Sequence, residues 1–298
     1  MCWSASAANN KRYVNIVFIG NSITFGAGLP KPVHDAPPVK AALFLSKCPE
    51  VASVKYSNRG QSGCTTVDYL PDTNTLFPWA VRAADKFKDE TWADLVFSIM
   101  LGTNDSAIEG TNGCPVAPEW YYENMKTIIN RLLALYPNCR IVVHRPLWYS
   151  PNTYNGAKYL EEGLRRLQDY YPQIQRLVDY YASHFPGQVF LGDTKGFDYF
   201  KENCPDIRNT KVVDIYTTLH EYTDNITVFD PHANVEAVKH EYGVTVVNML
   251  PSDSYDAVIL AVAHNEFLEM DMTSLGKANS VLYDVKGILP KEFIDGRL

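Results

Sequence analysis

Apolar runs of strand length alternate with longer stretches of helical spacing through the first two thirds of the chain. Tyr13 to Thr24 (YVNIVFIGNSIT) opens the pattern as a continuous Val/Ile/Phe run that stops at a glycine and delivers Ser22. A strand buried on both faces reads this way, because parallel strands are covered by helices above and below. Asp35-Ala36-Pro37-Pro38 then opens a helix, with Ala41, Leu43, Phe44 and Leu45 as its apolar surface. SVKYSNRG (Ser53 to Gly60) predicts a second strand, Leu76 to Phe87 a helix, and DLVFSIMLGTND (Asp94 to Asp105) a third strand that ends in polar residues. Past Pro118, Met125, Ile128, Ile129, Leu132 and Leu133 recur at the three-to-four spacing of one buried helix face, and Pro137 ends that run. CRIVVHRP (Cys139 to Pro146) predicts a fourth strand, Gly156 to His184 a long helix or a broken pair, and QVFLGD (Gln188 to Asp193) a fifth strand. Strict alternation of this kind predicts an α/β fold, a parallel sheet with helices on both faces.

Composition narrows the function classes. The chain has 298 residues, 46% hydrophobic and 20% charged, enough for one large or two ordinary domains. A net charge of −7 argues against nucleic acid or an anionic membrane as the main partner. No apolar run reaches the roughly 18 residues that a membrane helix needs. Cys2, Cys48, Cys64, Cys114, Cys139 and Cys204 lie far apart with no C-x-x-C pair, so they predict reduced thiols rather than a zinc site, and no metal is expected. Ala5-Ser6-Ala7 has the small residues that end a signal peptide, without the charged and apolar regions that should precede them. The expectation is a cytoplasmic protein as the sequence stands, exported or periplasmic if such a signal has been lost.

Three of the strands end in polar groups: Gly20-Asn21-Ser22, Gln61-Ser62-Gly63 and Gly102-Thr103-Asn104-Asp105. The first alone also reads as a plain βα turn in which Ser22 caps the next helix. Taken together, their order and spacing resemble blocks I, II and III of the SGNH (GDSL-type) hydrolase family. That resemblance covers about residues 1–203 and implies a flavodoxin-like three-layer α/β/α fold. It implies Ser22 as nucleophile, with the backbone N–H groups of Ser22 and Gly63 and the Asn104 side chain as oxyanion donors, and no cofactor. Preorganised neutral donors suit acyl transfer, since charge develops on the carbonyl oxygen in the transition state. The family also implies a general base near the end of the domain, commonly a histidine in D-x-x-H, and no D-x-x-H follows Gln188. His232, just past ITVFD, is the replacement candidate. Trp79, Trp120, Tyr121, Tyr122, Trp148 and Tyr149 could stack a sugar or form core and crevice walls.

From about Phe200 the chain resembles a second family. FKENCPDIRNTKVVDIY (Phe200 to Tyr216), ITVFDPHAN (Ile226 to Asn234), HEYGV (His240 to Val244), YDAVILAVAHNEF (Tyr255 to Phe267) and VLYDVKGILP (Val281 to Pro290) are similar to the C-terminal, UDP-binding domain of UDP-glucose/GDP-mannose dehydrogenases, particularly those acting on UDP-N-acetylhexosamines. The resemblance implies a smaller Rossmann-like α/β domain over 204–298, with Lys201, Arg208 and Lys286 facing phosphates of UDP-sugar or NAD; Lys and Arg neutralise and hydrogen-bond such oxygens. Cys204 falls where that family has no nucleophile. A whole dehydrogenase needs a glycine-rich dinucleotide fingerprint, and Gly26-Ala27-Gly28 lacks its third glycine and the acidic residue after the next strand. The reading is therefore a fused chain with its seam near residues 200–203. It is expected to be an ester hydrolase, most plainly for O-acetyl carbohydrate; the alternative is a UDP-sugar-binding module without hydride transfer of its own. A homo-oligomer stays open, and QVFLGD must serve both sheets or leave one with an open edge, which invites association.

Overall fold

The computed structural model describes residues 11–150, 156–202, 212–252 and 254–297. Contacts divide the chain into two units, Met1–Leu147 with Pro151–Gly196, and Trp148–Ser150 with Phe197–Leu298.

In the first unit the apolar runs become the parallel strands β1 (Arg12–Gly20), β2 (Val51–Gly60), β3 (Asp94–Met100), β4 (Arg140–Val143) and β5 (Val189–Leu191). They form one sheet in the order β2-β1-β3-β4-β5. The chain winds outward in both directions from β1 and β3, so the strand order reverses between these two. Ligands of open α/β sheets bind at the carboxyl ends of the strands beside such a reversal. Between the strands run α1 (Ser22–Phe25), α2 (Pro32–Asp35), α3 (Pro37–Leu45), α4 (Phe77–Asp85), α5 (Pro118–Leu135) and α6 (Leu160–His184).

Ile16–Ile19 of β1 are buried throughout, as the continuous apolar run requires. Met125, Ile128, Ile129, Leu132 and Leu133 of α5 are all buried, together with Leu167, Tyr170, Ile174, Leu177 and Tyr181 of α6. Tyr121 and Tyr170 stack with centroids 4.2 Å apart, and each buried hydroxyl donates to a carbonyl, Leu101 O and Val116 O. Burying a phenol without a partner would cost the desolvation of its hydroxyl, so these bonds let the rings serve as core. Tyr121 and Tyr122 are therefore core, whereas Trp79 and Trp120 are exposed. α6 is one unbroken helix with Pro172 inside it. The α3 surface differs from expectation: Pro38 and Ala42 are buried, while Leu43 and Phe44 point to solvent.

The second unit contains α8 (Val212–His220), α9 (Val235–Tyr242), α10 (Asn265–Glu269) and β6 to β10, and α7 (Gly196–Glu202) stands at the division between units. Its strands also pair in parallel, but in two separate sheets: β6 (Val228–Phe229) with β7 (Val246–Val247), and β8 (Tyr255–Leu260) with β9 (Gly276–Asp284) and β10 (Gly296–Arg297). Two small apolar clusters hold them, one around Val238 and Val246, the other around Leu260, Phe267 and Leu282.

Candidate active site

The carboxyl ends of β1, β2 and β3 are in register, Gly20 opposite both Gly60 and Met100, so three loops leave the sheet side by side. In the first, β1 passes straight into the single turn α1. A Cβ on Gly20 would lie 2.0 Å from Thr24 Oγ1, which is why the turn can begin so close to the strand. Asn21, not Ser22, caps α1, its Oδ1 accepting from Ile23 N at 3.0 Å. That leaves the hydroxyl of half-buried Ser22, the first residue of the turn, outside the cap.

The second loop follows β2. Gly60 has room only for hydrogen, since a Cβ there would lie 2.3 Å from Phe25 N of α1. Gln61 N donates to Gly20 O at 2.9 Å and Cys64 Sγ donates to the same oxygen at 3.3 Å, fastening this loop to the first. Gly63 lies between these anchors, exposed, with φ of +77°. Cys64 is a buried neutral thiol: burial, then the Asp105 and Asp68 carboxylates, push its pKa far up.

The third loop carries Asn104, which is buried. Its Nδ2 donates to Cys64 O at 2.8 Å, and its Oδ1 accepts from the Tyr159 hydroxyl at 2.8 Å. An amide nitrogen carries two hydrogens, so the bond to Cys64 commits one of them. Asp105, fully buried, accepts through Oδ1 from both the backbone N–H and the hydroxyl of Thr66, and Asn124 Nδ2 donates to the same hydroxyl oxygen at 2.9 Å. Oδ2 of Asp105 and Nδ2 of Asn21 are buried with no hydrogen-bond partner among the described residues. Burial pushes the Asp105 carboxyl up to about 6, against the opposing pull of Thr66.

The first unit thus brings Ser22, Gly63 and Asn104 onto adjoining loops at the strand-order reversal. Sequence reading missed Asp105, Thr66, Asn124 and Tyr159, which hold those loops. The adjacency of Asp105 to Asn104 was the one available signal; the other three depend on which loops the sheet places together.

His144 is engaged at both ring nitrogens, Nε2 2.9 Å from Ser98 Oγ and Nδ1 accepting from Asp193 N at 3.1 Å, and burial lowers its pKa. Asp193 itself caps the turn into α7 through Lys195 N and Gly196 N. His184 stacks on Tyr180 at the end of α6. His232 belongs to the second unit, where its Nε2 lies 2.9 Å from Glu266 Oε1 and its ring meets the ring of buried His264. His264 Nε2 lies 3.3 Å from Asp230 Oδ1. Burial alone would raise Asp230, but His264 and the N–H groups of His232 and Ala233 outweigh it and hold the carboxyl low.

Of the phosphate-facing candidates, Lys201 is exposed on α7 and Lys286 is exposed just after β9, its backbone N–H donating to buried Asp284 Oδ1 at 2.9 Å. Arg208 and Cys204 lie outside the described residues. Cys48, Cys64, Cys114 and Cys139 are free thiols. Among the described residues no group of three or more His, Cys, Asp or Glu is placed to hold a metal, and no helix is long and apolar enough to cross a membrane.

A parallel sheet ordered 2-1-3-4-5, with a serine and a buried asparagine on loops flanking the reversal, defines a flavodoxin-like α/β protein of the SGNH type. The model of the GDSL-like Lipase/Acylhydrolase family matches residues 18–186, more than half of the sequence, and the chain belongs to that family. Residues 199–291 match the UDP binding domain of the UDP-glucose/GDP-mannose dehydrogenase family. Among curated relatives, a UDP-N-acetyl-D-glucosamine 6-dehydrogenase of Pseudomonas aeruginosa is 52% identical over 102 residues, covering 33% of this chain and 24% of that protein. The Salmonella typhi enzyme of the same name is 39% identical over 149 residues, covering 43% and 35%. The chain therefore spans about a quarter to a third of the length of these two relatives. Among solved structures, a carbohydrate acetylesterase from Sinorhizobium meliloti aligns at 18% identity and TM-score 0.42, covering 62% of this chain and 88% of its own. An acetylxylan esterase from Geobacillus stearothermophilus aligns at 19% identity and TM-score 0.40, covering 57% and 74%.

Proposed function

We propose that the first unit is a serine ester hydrolase whose nucleophile is Ser22 and whose oxyanion donors are the N–H groups of Ser22 and Gly63 and the Asn104 amide. The observation that supports this most is the fastening of the three loops through Gly20, Cys64 and Asn104 beside the strand-order reversal. In the reaction Ser22 Oγ bonds to the acyl carbon, the alcohol leaves with a proton, and water then cleaves the acyl-enzyme. O-acetylated carbohydrate is the substrate class proposed. Turnover is expected to be low, because no D-x-x-H follows Gln188 to supply the triad's base, and loss of one triad member leaves roughly 10³–10⁴-fold catalysis over water.

The test is hydrolysis of p-nitrophenyl acetate by the full chain and by Ser22→Ala from about pH 5 to about pH 9, a range that spans a histidine base. Activity that is lost in Ser22→Ala and rises near neutral pH supports the reading, and equal rates in both proteins remove it.

A second reading rests on the match at 199–291: the second unit binds a UDP-sugar through Lys201, Arg208 and Lys286, or contacts NAD, without hydride transfer of its own. Calorimetry with UDP at about 1 mM, where a weak site of about 4 kcal/mol would half fill, shows heat that Arg208→Ala abolishes and Ser22→Ala does not. No heat removes this reading.

A further inference from the structure

The two sheets of the second unit each end on an unpaired parallel strand, and the two unpaired edges border one cleft. β6 pairs with β7 and β8 with β9; on their other sides neither has a strand partner among the described residues. A cavity of about 720 Å³ is lined by Val228 and Phe229 of β6, Val246 of β7, Val258 and Leu260 of β8, and Leu219 of α8. α8 presents an apolar face to this space, yet none of its residues is buried. At the carboxyl ends the two edges are tied by the pairs His264–Asp230 and His232–Glu266. Unpaired N–H and C=O rows invite another strand, and a parallel strand flanked on both sides must be apolar on both faces.

We propose that this cleft is a strand-acceptor site, and that the strand it takes is Gln188–Asp193 of a second copy of the chain, giving a strand-exchanged dimer. β8 is six residues long, about 20 Å at 3.3 Å per residue, and this segment of the chain has the matching length. Val189, Phe190 and Leu191 are apolar in succession, as both faces require. β5 is an edge strand held by β4 over only Val189–Leu191, and Phe190 stays 41% exposed. β1, β3 and β4 each lie between two neighbours and cannot leave without splitting their sheet. β2 is the other edge, but it would carry Lys55, Asn58 and Arg59 into an apolar cleft. In the exchanged dimer β6, the incoming strand and β8 make one continuous parallel sheet, α8 gains the layer it lacks, and exchange of one identical element closes the assembly with two-fold symmetry.

The inference is independent of the esterase reading. It is tested by light scattering on the full chain from about 5 µM to about 500 µM, since association follows mass action. The expected mass rises from one chain toward two, and hydrogen exchange slows at the β6 and β8 amides as it does. Phe190→Asp, at an exposed position, is expected to keep the single-chain mass with an unchanged melt. A synthetic Gln188–Asp193 peptide is expected to dissociate the dimer, and its Phe190→Pro counterpart to leave it intact. A single-chain mass at every concentration overturns the proposal, as does a dimer that survives both Phe190→Asp and the peptide.

Discussion

Asn104 donates from Nδ2 to the backbone oxygen of Cys64 across 2.8 Å, and that bond joins the third loop of the first unit to the second. Cys64 in turn donates to Gly20 O at the end of β1, so an amide side chain is coupled to the serine turn through one thiol. Asn104→Ala is expected to lower esterase turnover by about 10²–10³-fold, the usual effect of losing one oxyanion donor. Tyr159→Phe removes the bond to Asn104 Oδ1 and is expected to cost about 1 kcal/mol of stability with a smaller kinetic effect. Steady-state rates beside thermal melts separate the two, and equal kinetic losses would mean that Asn104 acts only as a strut.

Asp105 sets a pH dependence of opposite sign to the usual surface carboxylate. Its pKa is raised from the ordinary 3.8 to about 6 by burial, so the folded chain binds a proton that the unfolded chain has released. The stability this contributes is complete below about pH 3.8 and is lost as pH rises through about 6, up to about 3 kcal/mol at 1.36 kcal/mol per pH unit. Asp105→Asn keeps an acceptor for Thr66 and cannot ionise. Its melting temperature is expected to fall less than that of the parent between pH 4 and pH 7; parallel curves would show that Asp105 is not the titrating group.

Gly60, the last residue of β2, and Gly63, in the loop after it, should respond differently to alanine. Gly63 has φ of +77° but open space around a Cβ, so Gly63→Ala is expected to cost about 1–2 kcal/mol, the price of left-handed backbone alone. A Cβ at Gly60 meets the backbone nitrogen of Phe25, which cannot yield without moving α1. Gly60→Ala is expected to be the more destabilising in chemical denaturation and to reduce activity as well.

In the second unit Asp230 gives the familiar sign. Its pKa is lowered in the folded chain, so its contribution is present above the ordinary carboxylate value and is lost as pH falls through the depressed one. Asp230→Asn is expected to lower the melt of this unit at neutral pH and to narrow its difference from the parent under acid. A difference that widens in acid would mean that His264 draws its support from elsewhere.

The continuous apolar runs of β1 and β3 and the three-to-four spacing on α5 were legible without coordinates, because burial on both faces of a strand or one face of a helix leaves a one-dimensional pattern. The strand ends were legible for the same reason: Gly20-Asn21-Ser22, Gln61-Ser62-Gly63 and Gly102-Thr103-Asn104 stand where the apolar runs stop. α3 was less so, since Leu43 and Phe44 are apolar yet exposed, and hydrophobicity alone does not say which face a short helix turns inward. Gly156 to His184 read as one helix or two, and the structure forms one, α6, with Pro172 inside it and packed against α5.

What only the tertiary structure decided are the partners that come from distant segments. Thr66 and Asp105 are 39 residues apart, and Tyr159 and Asn104 are 55 apart. No local pattern encodes either pair, because a hydrogen bond between loops exists only after the sheet has set its strand order. The cleft between β6 and β8 is of the same kind: a place between two sheets with no strand in it among the described residues is a property of their neighbours, which sequence lists only in order along the chain.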